Sequence, residues 1–497
     1  MGGNAKIEFI ARITDEDGHI IERTVSATHG FASFDDFDMS TKAGFLSDFG
    51  VLEEAILEAR NRAGQEITAD FLELASKKKE KADRRLTAVE SEIGRIPLHI
   101  GGNFAKELKP KERILTKAFM DVAARICVNL SFRDSVATLN RLLRRNDSDT
   151  VKLRSLSNSM LRIGEEISQT LSTATEKVLL MYGFNQDTGL PDSILPARIK
   201  TPKDVKDTEM TQEVICSTVE SINAARDEKI PQMAQNIQIE KQPDTCVYIS
   251  IDDVGVKRQK EERKEGTVRN SKYVENTVAH IQYGKNVYVL TAVGMDKLFK
   301  SVLAFLLTND LFQYELVFFT DGAMNIKNYI NRIFGFHPYI QILDWYHLKK
   351  KCMELLSMAI AGKDKRNSVL EKLLRFLWVG DMNEAKNYLD SLSPPYVKSQ
   401  KWLNETIAYL KRKEDCIPCY AVRAKLGLRI SSNPVEKAND ILVAQRQKHN
   451  GMAWSPKGSG ALASIEMIYR NSQEDLWFKE RQLLGFPSSY SFEAQCA

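Results

Sequence analysis

The chain has 497 residues, 43% hydrophobic and 27% charged, which suits about three or four globular domains and excludes a disordered or low-complexity polymer. A net charge of +4 and a pI near 8.4 are too mild to identify a nucleic-acid binder, so any such surface must be local. No apolar run reaches 18 residues, and the seven cysteines are scattered and odd in number. A membrane-spanning helix and a disulfide framework are therefore not expected.

The first residues, MGGNAKIEF, lack the regions of a signal peptide, and Lys6 stands where a myristoylation site wants Ser or Thr. A cytoplasmic location is expected. Residues 1–45 alternate in short stretches broken by the DEDG of 15–18, which predicts a hairpin. Residues 50–92 read as helix, with Val51, Leu52, Ala55, Ile56 and Ala59 at a 3.6 period. The basic run 77–85 is a solvated helix face or a phosphate-tracking surface.

Three helices are predicted over 112–129, from Ser131 as N-cap to Leu143, and over 151–168. The third carries Lys152, Arg154 and Arg162 among small polar residues. Three helices with a basic last one fit a helix-turn-helix DNA reader or a plain helical bundle. Residues 186–244 hold Pro191, Pro196, Pro202, Pro231 and Pro243 around one amphipathic stretch at 205–229, and read as a linker region.

The pattern changes at 245. A strand ends on Asp252 and Asp253, two more follow near 274–283 and 286–293, and a helix covers 295–309. A strand at 315–320 ends on Asp321, a helix follows at 324–335, and a strand at 339–343 ends on Asp344. The order β-β-β-α-β-α-β predicts an α/β fold, a mixed sheet covered by helices. Residues 346–430 are almost wholly helical, and a last helix starts after Asn433 and Pro434.

Strand ends bring carboxylates together, and a helix crossing the sheet can add a third. Hard divalent ions want such oxygen ligands. Each acid also has a plain reading: Asp321 a turn residue, Asp344 a helix cap, Glu436 part of a capping box with Asn433. Cys416 and Cys419 are two loop thiols or half a zinc site.

The segments YISIDDVGV, VFFTDGA, ILDWYHLKK and NPVEKANDILVAQRQKHNGMAWSPKGSGALA together resemble DDE transposases of bacterial insertion sequences. Similar to Mutator-type enzymes, they carry a long helical insertion before the catalytic Glu. The resemblance covers about 245–475. It implies an RNase H-like core at 245–345 and 431–497, split by a helical insertion at 346–430. A DNA-binding domain at 111–185 and an N-terminal region at 1–110 complete the chain. Asp252, Asp321 and Glu436 would be the catalytic, metal-binding acids. Asp344 and His347 match the family's Asp-x-x-His signature, and Asn439, Arg446, Lys448 and Trp454 match positions trailing the Glu.

Two departures stand out. Asp253 follows Asp252 where such enzymes often carry Gly; the two side chains point to opposite strand faces, and Asp252 is the expected ligand. Ser432, Asn433 and Pro434 replace a glycine-rich approach to Glu436. The implied chemistry is a two-metal in-line displacement at phosphorus with two Mg²⁺, for which Mn²⁺ substitutes. His347 is expected to donate to the scissile phosphate or distorted DNA, or to be structural. Arg446 and Lys448 are expected on phosphates, and Trp454 on an unpaired base or in the core. The implied partners are double-stranded transposon-end and target DNA, bound by a homodimer or larger assembly, with no membrane. A resolvase-like nuclease without strand transfer and a domesticated DNA-binding protein are the alternatives.

Overall fold

The computed structural model describes residues 6–27, 33–79, 85–100, 102–107, 114–145, 150–192, 199, 211–234, 238–243, 246–260, 272–392, 394–448 and 452–486. Pro196, Pro202, most of the charged stretch 257–272, the side chains of the basic run 77–85, and Cys496 lie outside the described residues. The chain forms two compact units, Met1–Met160 and Leu161–Ala497.

In the first unit, β1 (Ile7–Thr14) and β2 (Ile20–Ala27) form the antiparallel hairpin expected from the alternation. It packs Val25 and Ala27 on Ala55, Ala59 and Ala63 of α1 (Lys42–Lys79). The small alanines let strand and helix approach closely. The helix predicted over 50–92 is corrected at its end: residues 85–91 are strand β3 (Arg85–Ser91), paired antiparallel with β4 (Gly94–Ile100). The cross-strand pairing overrides a helical composition there. A short helix α2 (Gly102–Glu107) and strand β5 (Ile114–Leu115), parallel to β3, follow.

Helices α3 (Lys117–Asn129) and α4 (Phe132–Leu142) start on Thr116 and Ser131, whose hydroxyls accept from Phe119 and Asp134 backbone N–H groups. Asn140 then clamps the Val151 backbone through both its amide groups. Residues 143–152 separate α4 from α5 (Leu153–Met181), a longer span than the three- or four-residue turn of a helix-turn-helix. α5 outruns its predicted end at 168 and crosses the division between the units; it stops before Gly183, at φ +72°.

The second unit continues with α6 (Gln212–Ala224) and a five-stranded mixed sheet. Its strands are β6 (Val247–Lys257), β7 (Tyr273–Tyr283), β8 (Asn286–Val293), β9 (Leu316–Thr320) and β10 (Tyr339–Leu343). The order is β10-β9-β6-β7-β8. β6, β7 and β8 are antiparallel, whereas β9 runs parallel to both β6 and β10. Every residue of β9 is buried, as befits a parallel strand covered on both faces. The connecting helices are α7 (Met295–Thr308) and α8 (Met324–Phe334).

After β10 come α9 (Trp345–Ala359), α10 (Lys363–Trp378), α11 (Met382–Asp390), α12 (Gln400–Lys413) and α13 (Tyr420–Lys425). Leucines of α9 to α12 and Tyr420 of α13 share one core with Val317, Phe319, Ile342 and Leu343 of the sheet. The fully buried pair of Arg423 and Glu240, 2.7 Å apart, ties α13 to the segment before β6. α14 (Asn433–Asn439) lies against β6 and β7 and passes through a π-helical turn, Asp440–Ala444, into α15 (Gln445–Gln447). α16 (Pro456–Arg470) packs on β8, and α17 (Glu474–Glu480) ends the described fold. Among the described residues, no helix is long and apolar enough to cross a membrane.

Candidate active site

Asp252 lies on β6, the middle strand of the sheet. One carboxylate oxygen accepts the Asn439 amide of α14 at 2.7 Å and the other the Asp253 backbone N–H at 2.8 Å. Burial first, and then the charge of Asp321, push its pKa up to about 6; Glu436 adds to the rise and His347 opposes it. Asp253 turns the other way. It accepts the hydroxyl of Thr277, its register partner on β7, at 2.5 Å. The strand pleat thus separates the two acids and leaves Asp252 facing α14.

Asp321 follows β9 directly and accepts the Ala323 N–H at 2.7 Å. Gly322, at φ +87°, makes the corner. A Cβ there would stand 2.8 Å from the Leu343 side chain as well as forcing an L residue into a left-handed backbone.

Glu436 does not form the capping box read from the sequence. Ser432 is the N-cap, without a side-chain cap bond, and Glu436 instead meets His347 Nε2 at 2.7 Å. His347 sits in the first turn of α9, and its backbone N–H donates to Asp344 at 2.8 Å.

Asp344 is the joint of the site. It is 0% exposed. Its N–H donates to Thr320, the residue before Asp321, at 2.9 Å. One carboxylate oxygen caps α9 through His347, and the other accepts the backbone N–H and hydroxyl of Ser432. A single buried carboxylate thereby sets the β9 end, the start of α9 and the start of α14. Its capping role was legible in the sequence; its hold on Ser432 was not.

Asp321, Glu436 and His347 thus all act electrostatically on Asp252, and His347 and Glu436 are in contact. The ligand atoms of these four do not all lie within 4.8 Å of one another; among the described residues that closeness belongs to Asp15, Asp17 and His19. Those three form the exposed β1–β2 turn, where Asp15 accepts from the Asp17 and His19 backbones. A wider spacing suits two ions. A pair about 3.5–4 Å apart, each about 2.0–2.1 Å from its ligands, reaches oxygens up to about 8 Å apart. Half-buried carboxylates whose charges make Asp252 resist ionisation form a donor set that hard dications would relieve.

Other expected site residues fall elsewhere. Arg446 and Trp454 are buried, 3% and 7% exposed, so Arg446 does not present the surface cation expected and Trp454 takes the core place that was its alternative. The guanidinium lies 5.2 Å from the Trp454 ring, and the indole N–H donates to the Gln447 carbonyl. The backbone of Trp454 also continues the edge of β6 through Lys257 and Gln259. Lys448 is exposed at the end of α15. Lys152 and Arg154 are exposed at the start of α5, and half-buried Arg162 pairs with Glu166 at 3.9 Å. Cys416 and Cys419 are buried free thiols, and burial pushes the Cys419 pKa up to about 11.

No family model matches the chain, and no curated protein matches it. Among solved structures, the Drosophila P element transposase strand transfer complex is similar at a TM-score of 0.22 and 11% identity, over 72% of this chain and 80% of that one. Likeness at that level says nothing about the site.

Proposed function

We propose that this protein is a DNA transposase with an RNase H-like core and a DDE site, cleaving and joining strands at transposon ends. The reading is carried by Asp321, from the adjacent strand end, and Glu436, from a helix laid against β6, both acting electrostatically on Asp252 of the middle strand. The strand order supports it: three antiparallel strands, then two parallel ones added beside the first, with the first acid in the first strand.

Asp252, Asp321 and Glu436 would together hold two divalent ions. Two bound Mg²⁺, or Mn²⁺ in their place, would supply the Lewis acidity that activates the attacking oxygen and stabilises the leaving one. The protein's own work is placement. Asn439 orients Asp252, His347 orients Glu436, and Asp344 holds their supports in register. His347, half-buried at the site, is also a candidate to donate to a phosphate. Exposed Lys152, Arg154 and Lys448 are candidates for the DNA backbone. Two ends held together imply a dimer or larger assembly on DNA.

The test is incubation of the purified chain with labelled DNA bearing the inverted repeats that flank its reading frame, a target plasmid and Mg²⁺ or Mn²⁺. Joined products, lost in D252N and E436Q, are expected. Cleavage without joining would point to a resolvase-like nuclease. Binding with no nicking under any divalent ion would point to a domesticated DNA-binding protein and sink the enzyme reading.

A further inference from the structure

Lys413 ends α12, within the helical block between Asp321 and Glu436, and is only 3% exposed. A lysine so buried is normally paired, because an ammonium loses much of its hydration on burial. Among the described residues its ammonium finds only the Met324 thioether, at 3.1 Å, a weak acceptor.

The place of the side chain gives the reason. A Cβ built on Gly322 would lie 3.7 Å from Lys413 Cε and 3.6 Å from the Tyr409 hydroxyl, also of α12. The lysine stem thus runs along the corner formed by Asp321, Gly322 and Met324. Asp321 accepts one backbone N–H, and among the described residues its second oxygen accepts nothing.

We propose that Lys413 is a positioning residue of this corner: its buried positive charge beside Asp321 offsets part of the acids' negative charge and thereby limits how tightly they hold divalent cations. The inference rests on the metal-binding reading above. It gives the helical block a part in the site. Burial lowers the Lys413 pKa, and the Cys416 thiol and the Asp321 carboxylate work against that fall.

The test is Mn²⁺ binding to the full chain without DNA, followed by calorimetry and by the spin resonance of free Mn²⁺, for wild type, K413M and K413R. Loss of a neighbouring positive charge should tighten Mn²⁺ binding several-fold in K413M, while K413R stays near wild type. A merely structural lysine predicts weaker or unchanged binding, and either result in a folded K413M would overturn the proposal. Should K413M fail to fold, K413Q replaces it with the same readout. If both unfold while K413R is stable, the lysine serves the core alone and the proposal fails. A wild type that binds no Mn²⁺ would instead remove the metal reading itself.

Discussion

Asp252 is held where its charge is unwelcome. Its pKa in the folded chain stands at about 6 against an ordinary 3.8, raised by burial and by Asp321. The fold therefore binds the proton more tightly than the unfolded chain does. The sign follows: the group costs no stability below pH 3.8, and stability is lost as pH rises through about 6. At about 1.4 kcal/mol per pH unit, the cost at neutral pH is on the order of 1–3 kcal/mol. D252N should accordingly melt several degrees higher than wild type at pH 7.5, and with little difference at pH 4, while losing strand cleavage. A lower melting point for D252N at neutral pH would contradict the account. Asn439 makes the complementary case. Among the described residues its amide hydrogen-bonds only Asp252, so if Asp252 holds metal as proposed, N439A should weaken Mn²⁺ binding by about 10–100-fold, as loss of a ligand's supporting bond does. Calorimetry decides it.

Among elements, the decisive joint is the one Asp344 makes between β10, α9 and α14. D344A would strand two buried N–H groups, each worth about 1–3 kcal/mol when left unsatisfied. We expect a loss of about 3 kcal/mol in denaturant unfolding, together with a weaker hold on Glu436. The Gly322 corner is the second such point. G322A meets both a left-handed backbone and the Leu343 side chain, and should cost about 1–3 kcal/mol. Equal stability of G322A and wild type in urea would show that the corner relaxes more freely than its contacts allow.

On the scale of the whole molecule, the acids, His347, Asn439 and Asp344 all lie in the unit Leu161–Ala497. That unit has its own sheet and its own helical core. A fragment starting at Leu153, which keeps α5 entire, should therefore fold and bind Mn²⁺ as the full chain does. Circular dichroism and titration would show it, and a fragment that stays unfolded would mean that its core needs residues 1–152.

Sequence alone determined the alternation of the second unit. Apolar runs ending on Asp321 and Asp344 are local, as are the caps on Ser131 and Asp344, so periodicity and turn chemistry reveal them, whereas β6 runs past Asp252 to Lys257 and α3 starts at Lys117 rather than at 112. What it could not supply is anything set by residues far apart in the chain. The capping-box pattern at Glu436 was locally sound, yet the side chain turns to His347, brought beside it by the fold. The helical composition at 85–91 yielded to a partner strand, and the polar look of Arg446 to burial. Lys413 carries no motif at all, because its meaning comes only from Gly322 and Asp321 lying against the end of α12. Short-range geometry is written residue by residue, whereas burial and charge proximity exist only once distant segments share one space.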